Sequence, residues 1–286
     1  PVIISTWQSL YKLDKKYFEN FGCVVGDEAH LFKSKSLTAI MTKLINCKYR
    51  FGMTGTLDGT QTHRLVLEGL FGKVEKVTST KQLMDKDTLA NLKIKCLVLK
   101  HKEEDCKVVK DLKYSDELQY IVTHKTRNDF ISRLCDKLSG NTLCLYQLVE
   151  KHGLVLYNLM KDFDRKVFFI HGGTDTNDRE KIRAITEEQT NAIIVASYGT
   201  FSTGINIRNL HNIVFASPSK SRIRVLQSIG RGLRKSDKGD IQTTLLDIAD
   251  DFTYKDNKNF TLNHFLERIN IYNEEEFDYE IDRIRI

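Results

Sequence analysis

The chain has 286 residues, 41% hydrophobic and 29% charged, which suits two globular domains with sizeable cores and excludes a disordered or fibrous chain. No apolar run approaches the roughly 20 residues of a spanning helix, and the opening PVIISTWQSL lacks the basic start and long apolar stretch of a signal peptide, so a cytoplasmic protein with no membrane partner is expected. The formal charge is +6, but nine acidic against five basic residues in 251–286 leave about +10 on the rest, a sign compatible with nucleic acid and equally with a solvated surface.

In chain order, β-branched and aliphatic runs predict strands at 2–5, 23–26, 49–54, 92–100, 142–146, 167–171, 192–196, 212–216 and 243–248. Helical patterns separate them, the alternation of a parallel α/β architecture with both sheet faces covered. Trp7, after the apolar VIIS, is expected in the core, the alternative being stacking on a base. Residues 78–115 interrupt the alternation with lysine-rich, weakly patterned sequence, which places a domain junction near Lys110. The clearest helix spans 115–138, with Leu118, Ile121, Val122, Phe130, Ile131, Leu134 and Leu138 on one stripe and Ser115 as its cap. Another opens at Asn177, whose side chain suits an N-cap. In the tail, Leu262, Phe265, Leu266 and Ile269 predict an amphipathic helix packed on the second domain. The expected domains are therefore 1–110, 111–250 and a helical acidic tail, 251–286. Six cysteines (Cys23, Cys47, Cys96, Cys106, Cys135, Cys144) include no CxxC pair and are expected as buried free thiols rather than zinc ligands.

The chemistry begins at FGCVVGDEAH, where Asp27 and Glu28 emerge at the C-terminal end of a strand, the place where open α/β sheets hold ligands. Carboxylates there suit a magnesium nucleotide: Asp27 can hold Mg²⁺ through water while Glu28 orients and deprotonates the attacking water. The alternative is an acidic helix start favoured by the helix dipole. Thr54-Gly55-Thr56 follows the next strand, ASYGTFSTGIN comes later, and QSIGRGLR after that. In QSIGRGLR, Arg231 and Arg234 are three apart and share a helical face, so their guanidinium groups can stabilise charge developing on a γ-phosphate; a surface helix end is the alternative. Gly230 and Gly232 weaken a helix, which is expected where backbone must approach a partner domain closely. Ser197, Thr200 and Thr203 offer hydroxyls to a phosphate, although such residues are also ordinary in loops.

These blocks, in this order, resemble the superfamily 2 helicases of the DEAH-box type, over residues 1 to about 250. The resemblance implies two RecA-like domains with parallel sheets, ATP between them and nucleic acid across both. It implies that Asp27, Glu28, Ala29 and His30 are motif II, Thr54 to Thr56 motif III, the ISTWQSL segment with Ser5 and Thr6 motif Ib, LCLYQL with Gln147 motif IV, residues 197–206 motif V and residues 227–234 motif VI. ATP and Mg²⁺ are the implied cofactors, with Glu28, Asp27, Arg231 and Arg234 catalytic. Asp27, Glu28, His30, Gln227, Gly204, Asn206, Arg231 and Arg234 are implied at the nucleotide, and His30, Thr54 and Thr56 couple that site to other motifs. Ser5, Thr6, Gln147, His171, Ser197, Thr200 and Thr203 are implied along the nucleic acid, although His171 in HGG alternatively only ends a strand. Two positions depart from the family: Asn206 stands where many members carry aspartate, and Gly26 where an aliphatic residue is usual.

No G-x-x-x-x-G-K-[ST] occurs, and 26 residues precede Asp27. The expectation is a piece of a longer protein, its first RecA-like domain lacking the front half with the P-loop and therefore inactive alone. The likeness within the family runs to recombination helicases, which implies branched or single-stranded DNA read with little sequence dependence, RNA–DNA hybrid as a further substrate, and recombination proteins as partners. A duplex translocase and a non-catalytic nucleic-acid-binding module are the rival readings.

Overall fold

The computed structural model describes residues 2–204, 207–233 and 242–286, with backbone only for 202–204. The chain divides into two units, Pro1–Val77 and Thr78–Ile286. The junction expected near Lys110 is corrected by pairing: strand β3, Leu92–Lys100, lies between two strands of the second unit's sheet. The lysine-rich stretch before it is the entry to that unit. Ser79 and Gln82 form a reciprocal capping box on helix Thr80–Asp85, Met84 and Leu89 pack on the second unit's core, and Ala90 N–H donates to Leu233 O at 2.8 Å.

In the first unit β1, Cys23–Gly26, and β2, Tyr49–Gly52, pair in parallel with Gly26 opposite Gly52. Phe18, Phe32, Leu37, Ile40, Met41 and Leu67 make its core. The expected strand at 2–5 is irregular backbone, with Val2 91% and Ile4 95% exposed. An apolar run becomes a strand only where a partner accepts its ladder bonds. Trp7 follows from this: it is exposed in helix Trp7–Leu10, its ring 5.8 Å from that of Tyr11, rather than in the core.

The second unit is built on seven parallel strands. With β4 (Thr142–Tyr146), β5 (Lys166–Ile170), β6 (Ala192–Ser197), β7 (Asn212–Phe215), β8 (Thr243–Asp251) and β9 (Tyr279–Arg285), the order is β5-β6-β4-β7-β8-β3-β9. All residues of β4, β6 and β7 are buried, as expected for strands covered on both faces. Neighbours in β6 serve opposite cores: Ile194 packs with Leu143, Phe201 and Ile229, and Ile193 with Ile131, Leu156 and Val214.

Three local expectations shift. The helix expected over 115–138 is two, Tyr114–Thr123 and Lys125–Lys137, broken at an extended His124 whose Nδ1 accepts Arg127 N–H. Lys113 precedes the first of these in place of Ser115, and Asp175 rather than Asn177 caps helix Thr176–Glu188. The tail does form a helix, Phe260–Glu274, but the segment after it is β9, paired in parallel with β3. The tail helix is fastened by buried charge. Glu117 accepts from Phe260 N, Thr261 N and Asn259 Nδ2 at 2.7–3.0 Å, while Arg268 forks onto Asp247, which also accepts from Tyr272 Oη.

Candidate nucleotide and nucleic-acid sites

In each unit, parallel strands place the loops after them along one end of that unit's sheet, and the sequence-predicted residues fall on these loops. Asp27 and Glu28 follow β1, Thr54 and Thr56 follow β2, Gln147 follows β4, His171 follows β5, and Ser197 closes β6.

The motif II turn is tight because Glu28 takes a left-handed conformation, φ 48°, ψ 50°, which costs a non-glycine residue on the order of 1–3 kcal/mol and marks a constrained place. Asp27 Oδ1 accepts Glu28 N–H at 2.9 Å, and Ala29 N–H reaches Met53 O at 2.8 Å. Asp27 is exposed and Glu28 half-buried. His30 is buried, with Nδ1 3.0 Å from Thr54 Oγ1 and 3.2 Å from Glu28 Oε2. The Thr54 hydroxyl donates to Thr56 O at 3.0 Å, so its hydrogen is spent and Nδ1 must carry the proton, donated to Thr54 Oγ1, with Glu28 Oε2 alongside at an angle that falls short of a hydrogen bond. Burial lowers the His30 pKa, and Glu28 opposes the shift without cancelling it, which favours a neutral ring near pH 7. His30 is thus hydrogen-bonded through Thr54 to Thr56, with the Glu28 carboxylate in close electrostatic contact at its other side.

Two residues of this site were not foreseen. His63 Nε2 bonds His30 O at 2.9 Å, and its Nδ1 lies 2.9 Å from Asp58 Oδ1 at an angle that falls short of a hydrogen bond. Asp58 accepts from Thr60 N, Thr60 Oγ1 and Lys33 Nζ. Burial alone would raise its pKa, but these donors and His63 hold it well below the usual carboxylate range. The available signal was the turn sequence L-D-G-T ahead of helix Gln61–Phe71, with Thr60 as its cap.

Gly26, the departure before the acidic pair, has a physical reason. A Cβ there would meet Phe32 Cζ at 2.8 Å and Phe71 Cζ at 3.0 Å, and one on Gly52 would meet the same Phe71 ring at 2.9 Å. The volume that an aliphatic side chain would fill on the strand is occupied instead by two phenyl rings in edge contact, centroids 5.0 Å apart.

Among the nucleic-acid candidates, Ser5 and Thr6 are exposed, with Thr6 Oγ1 3.2 Å from Ser9 Oγ at the start of helix Trp7–Leu10. Gln147 is exposed, and its N–H donates to Ser217 Oγ at 3.0 Å. His171 is half-buried and its Nδ1 accepts Gly173 N–H, closing the HGG turn. Ser197 and Thr200 differ from expectation. Both are buried, their hydroxyl oxygens 2.7 Å apart, and Ser197 Oγ accepts Thr200 N–H; they hold the start of helix Tyr198–Gly204 instead of facing solvent. Gly204 is that helix's last residue. The Thr203 side chain, Asn206 and Arg234 lie outside the described residues.

Motif VI lies on helix Arg222–Gly232, where Val225 and Ile229 are buried and Gln227 and Arg231, four apart, are half-buried on one face. One of its glycines has a local reason. Gly232 is needed within its own unit, since a Cβ would collide with Ile213, and its carbonyl accepts Thr243 Oγ1 at 2.9 Å. Around Gly230 a Cβ meets nothing within 4 Å among the described residues.

Sequence profiles of two families match this chain: "Type III restriction enzyme, res subunit" over residues 1–59 and "Helicase conserved C-terminal domain" over 126–236. The ATP-dependent DNA helicase uvsW of Enterobacteria phage T4 is 34% identical over 299 aligned positions, covering 100% of this chain and 59% of that protein. The putative ATP-dependent RNA helicase L396 of Acanthamoeba polyphaga mimivirus is 24% identical over 93% of this chain and 51% of its own length. The crystal structure of T4 UvsW superposes with a TM-score of 0.60, over 98% of this chain and 57% of that one. The chain thus spans between half and three-fifths of the length of these two relatives. With an α/β fold of parallel sheets like theirs and the motifs at their strand ends, the chain belongs to the superfamily 2 helicases, with RecA-like domain architecture.

Proposed function

We propose that this chain carries out part of the work of an ATP-dependent DNA helicase that remodels branched DNA. The observation that carries the reading is the run Glu28–His30–Thr54–Thr56, in which the carboxylate suited to activating water lies 3.2 Å from His30, and His30 is hydrogen-bonded through Thr54 to the loop after the neighbouring strand. In this reading Glu28 orients the attacking water and takes its proton. The exposed Asp27 carboxylate, a hard oxygen donor, fits Mg²⁺ held through water, and that ion when bound would neutralise phosphate charge. Gln227, Arg231 and Arg234, with Gly204 and Asn206, contact the nucleotide, the arginines offsetting charge on the γ-phosphate. Loss of that charge on hydrolysis alters the Glu28–His30 pair and, through Thr54, the loop beyond it. Ser5, Thr6, Gln147, His171 and Thr203 line the nucleic-acid path and act on phosphates, so affinity falls with salt and depends little on base sequence. Ser197 and Thr200 support that path by fixing helix Tyr198–Gly204. DNA as the substrate is supported by the name of the T4 relative; Holliday junctions, forks and RNA–DNA hybrids are the proposed forms.

The test uses Glu28→Gln in the full-length protein. Nucleotide binding should persist while hydrolysis falls by roughly 10² to 10⁴, the usual cost of losing a general base; a parallel loss of binding would make Glu28 structural. The wild-type protein should unwind a four-way junction and a fork faster than a blunt duplex at matched ATP and salt. Equal rates on all three would count against branch remodelling. The res-subunit match over residues 1–59 favours a second reading, duplex translocation, which predicts ATP-driven travel without strand separation.

A further inference from the structure

At the C-terminal end of the second unit's sheet, apart from every helicase motif, three donors from three elements converge. His101 directly follows β3, Asp105 lies on helix Glu103–Val109, and His124 is the break between helices Tyr114–Thr123 and Lys125–Lys137. One ligand atom from each lies within 4.8 Å of the other two. We propose that His101, Asp105 and His124 bind a borderline divalent transition metal of the zinc class, with water completing a tetrahedral shell.

The geometry is that of a prepared site. The His101 side chain is 0% exposed, and its Nε2 is held at 3.0 Å by Asp250 Oδ1, which is itself gripped by Arg127. A ring nitrogen bonded to a carboxylate is the usual device for fixing the orientation of a metal-binding histidine. It leaves His101 Nδ1 as the ligand, and that buried atom has no hydrogen-bond partner among the described residues. A buried nitrogen left without a partner is otherwise unfavourable. Phe252 stacks on the His101 ring at 3.7 Å and fixes its plane. Asp105 is also oriented from behind, its Oδ1 accepting Tyr120 Oη at 2.6 Å while Oδ2 faces His124 Nε2 at 3.6 Å. Two imidazoles and one carboxylate suit a borderline ion at roughly 2.0–2.2 Å, with one position left for water.

The proton balance is explicit. Arg127 N–H bonds His124 Nδ1 at 3.3 Å, so the apo ring carries its proton on Nε2. Binding moves that proton to Nδ1, breaks this long bond, and leaves a neutral imidazole on the ion. The three segments would then share one set of coordinate bonds.

The test uses the full-length protein, tag-free, stripped with chelator and without nucleotide. It is titrated with Co²⁺ followed by visible absorption and with Zn²⁺ followed by calorimetry. One ion per chain is expected, with a tetrahedral nitrogen–oxygen spectrum, no thiolate-to-cobalt band, and a higher melting temperature. Asp105→Asn retains an acceptor for Tyr120, and His124→Asn retains a helix cap; both should fold with the melting temperature of the metal-free wild type and bind at least tenfold more weakly. Unchanged affinity in both variants, no ion bound by the folded wild type, or a thiolate signature would overturn the assignment.

Discussion

Gly26 and Gly52 form a matched gap across two strands, and the Phe71 ring fills it. Gly26→Val would drive a branched side chain into Phe32 and Phe71 and should destabilise the first unit by about 1–3 kcal/mol, the usual range for overpacking. Urea unfolding of Gly26→Val, Phe71→Leu and the double variant checks this. The double variant should be more stable than the sum of the single losses predicts, and strict additivity would mean that the ring and the glycine do not share the space. This complementarity could not be read in the sequence, because Phe71 lies 45 positions from Gly26 and only the register of β1 with β2 brings it over both glycines. Glu28, His30, Thr54 and Thr56 were grouped by their motifs and stand together here. Asp58 and His63 belong to no motif, so their part in the site depends on the path of helix Gln61–Phe71.

At the level of elements, strands buried on both faces were legible because continuous apolar runs admit few other solutions. β9 was not, since YEIDRIR carries two acidic and two basic residues and reads as solvated tail. In place, Ile284 and Ile286 pack on one core and Tyr279 on the other. The helix break at His124 was equally hidden, because the apolar stripe runs on through both halves while Asn128 turns back to bond Val122 O. Glu117, polar on a mostly apolar face, is explained only by the tail helix that it caps. Glu117→Ala leaves Phe260 N and Thr261 N without this acceptor, at about 1–3 kcal/mol for the buried Thr261 N–H, while Asn259 Nδ2 keeps Asp250 O and Thr261 Oγ1. Limited proteolysis should then cut within 251–286 well before the rest of the second unit, and an unaltered digestion pattern would show that the cap is dispensable.

For the whole molecule, buried ionisable groups set an acid limit. His152 is held neutral by burial first and then by Arg127, with Asp250 opposing, so its folded pKa lies well below 6.5; burial lowers His211 and His264 as well. The unfolded chain takes up these protons at about pH 6.5, so it binds more protons than the fold and stability declines as pH drops below that value. Asp250 shifts the other way relative to burial: desolvation raises its pKa, but Arg127 and His101 outweigh it and leave the carboxyl well below its ordinary value. Its stabilisation is complete above about pH 4 and is lost as pH falls toward the folded value. The urea midpoint should therefore fall in two stages, from pH 7 to 5 and again below 4. His152→Gln should flatten the first stage and leave the second; an unchanged first stage would assign it to other groups.

The placement of β3 between β8 and β9 also bears on how the protein is made. Leu92 pairs with Thr243 and Ile94 with Tyr279, so during synthesis β3 leaves the ribosome about 150 residues ahead of its first partner and waits longer still, for β9, for its second. At about 5–20 residues per second the wait lasts from several seconds to half a minute. Until β8 emerges the apolar run LKIKCLVLK has no ladder partner, although Lys93 and Lys95, alternating along it, discourage pairing with other chains. The first strand of the second unit in sequence is thus among the last of its strands to be enclosed.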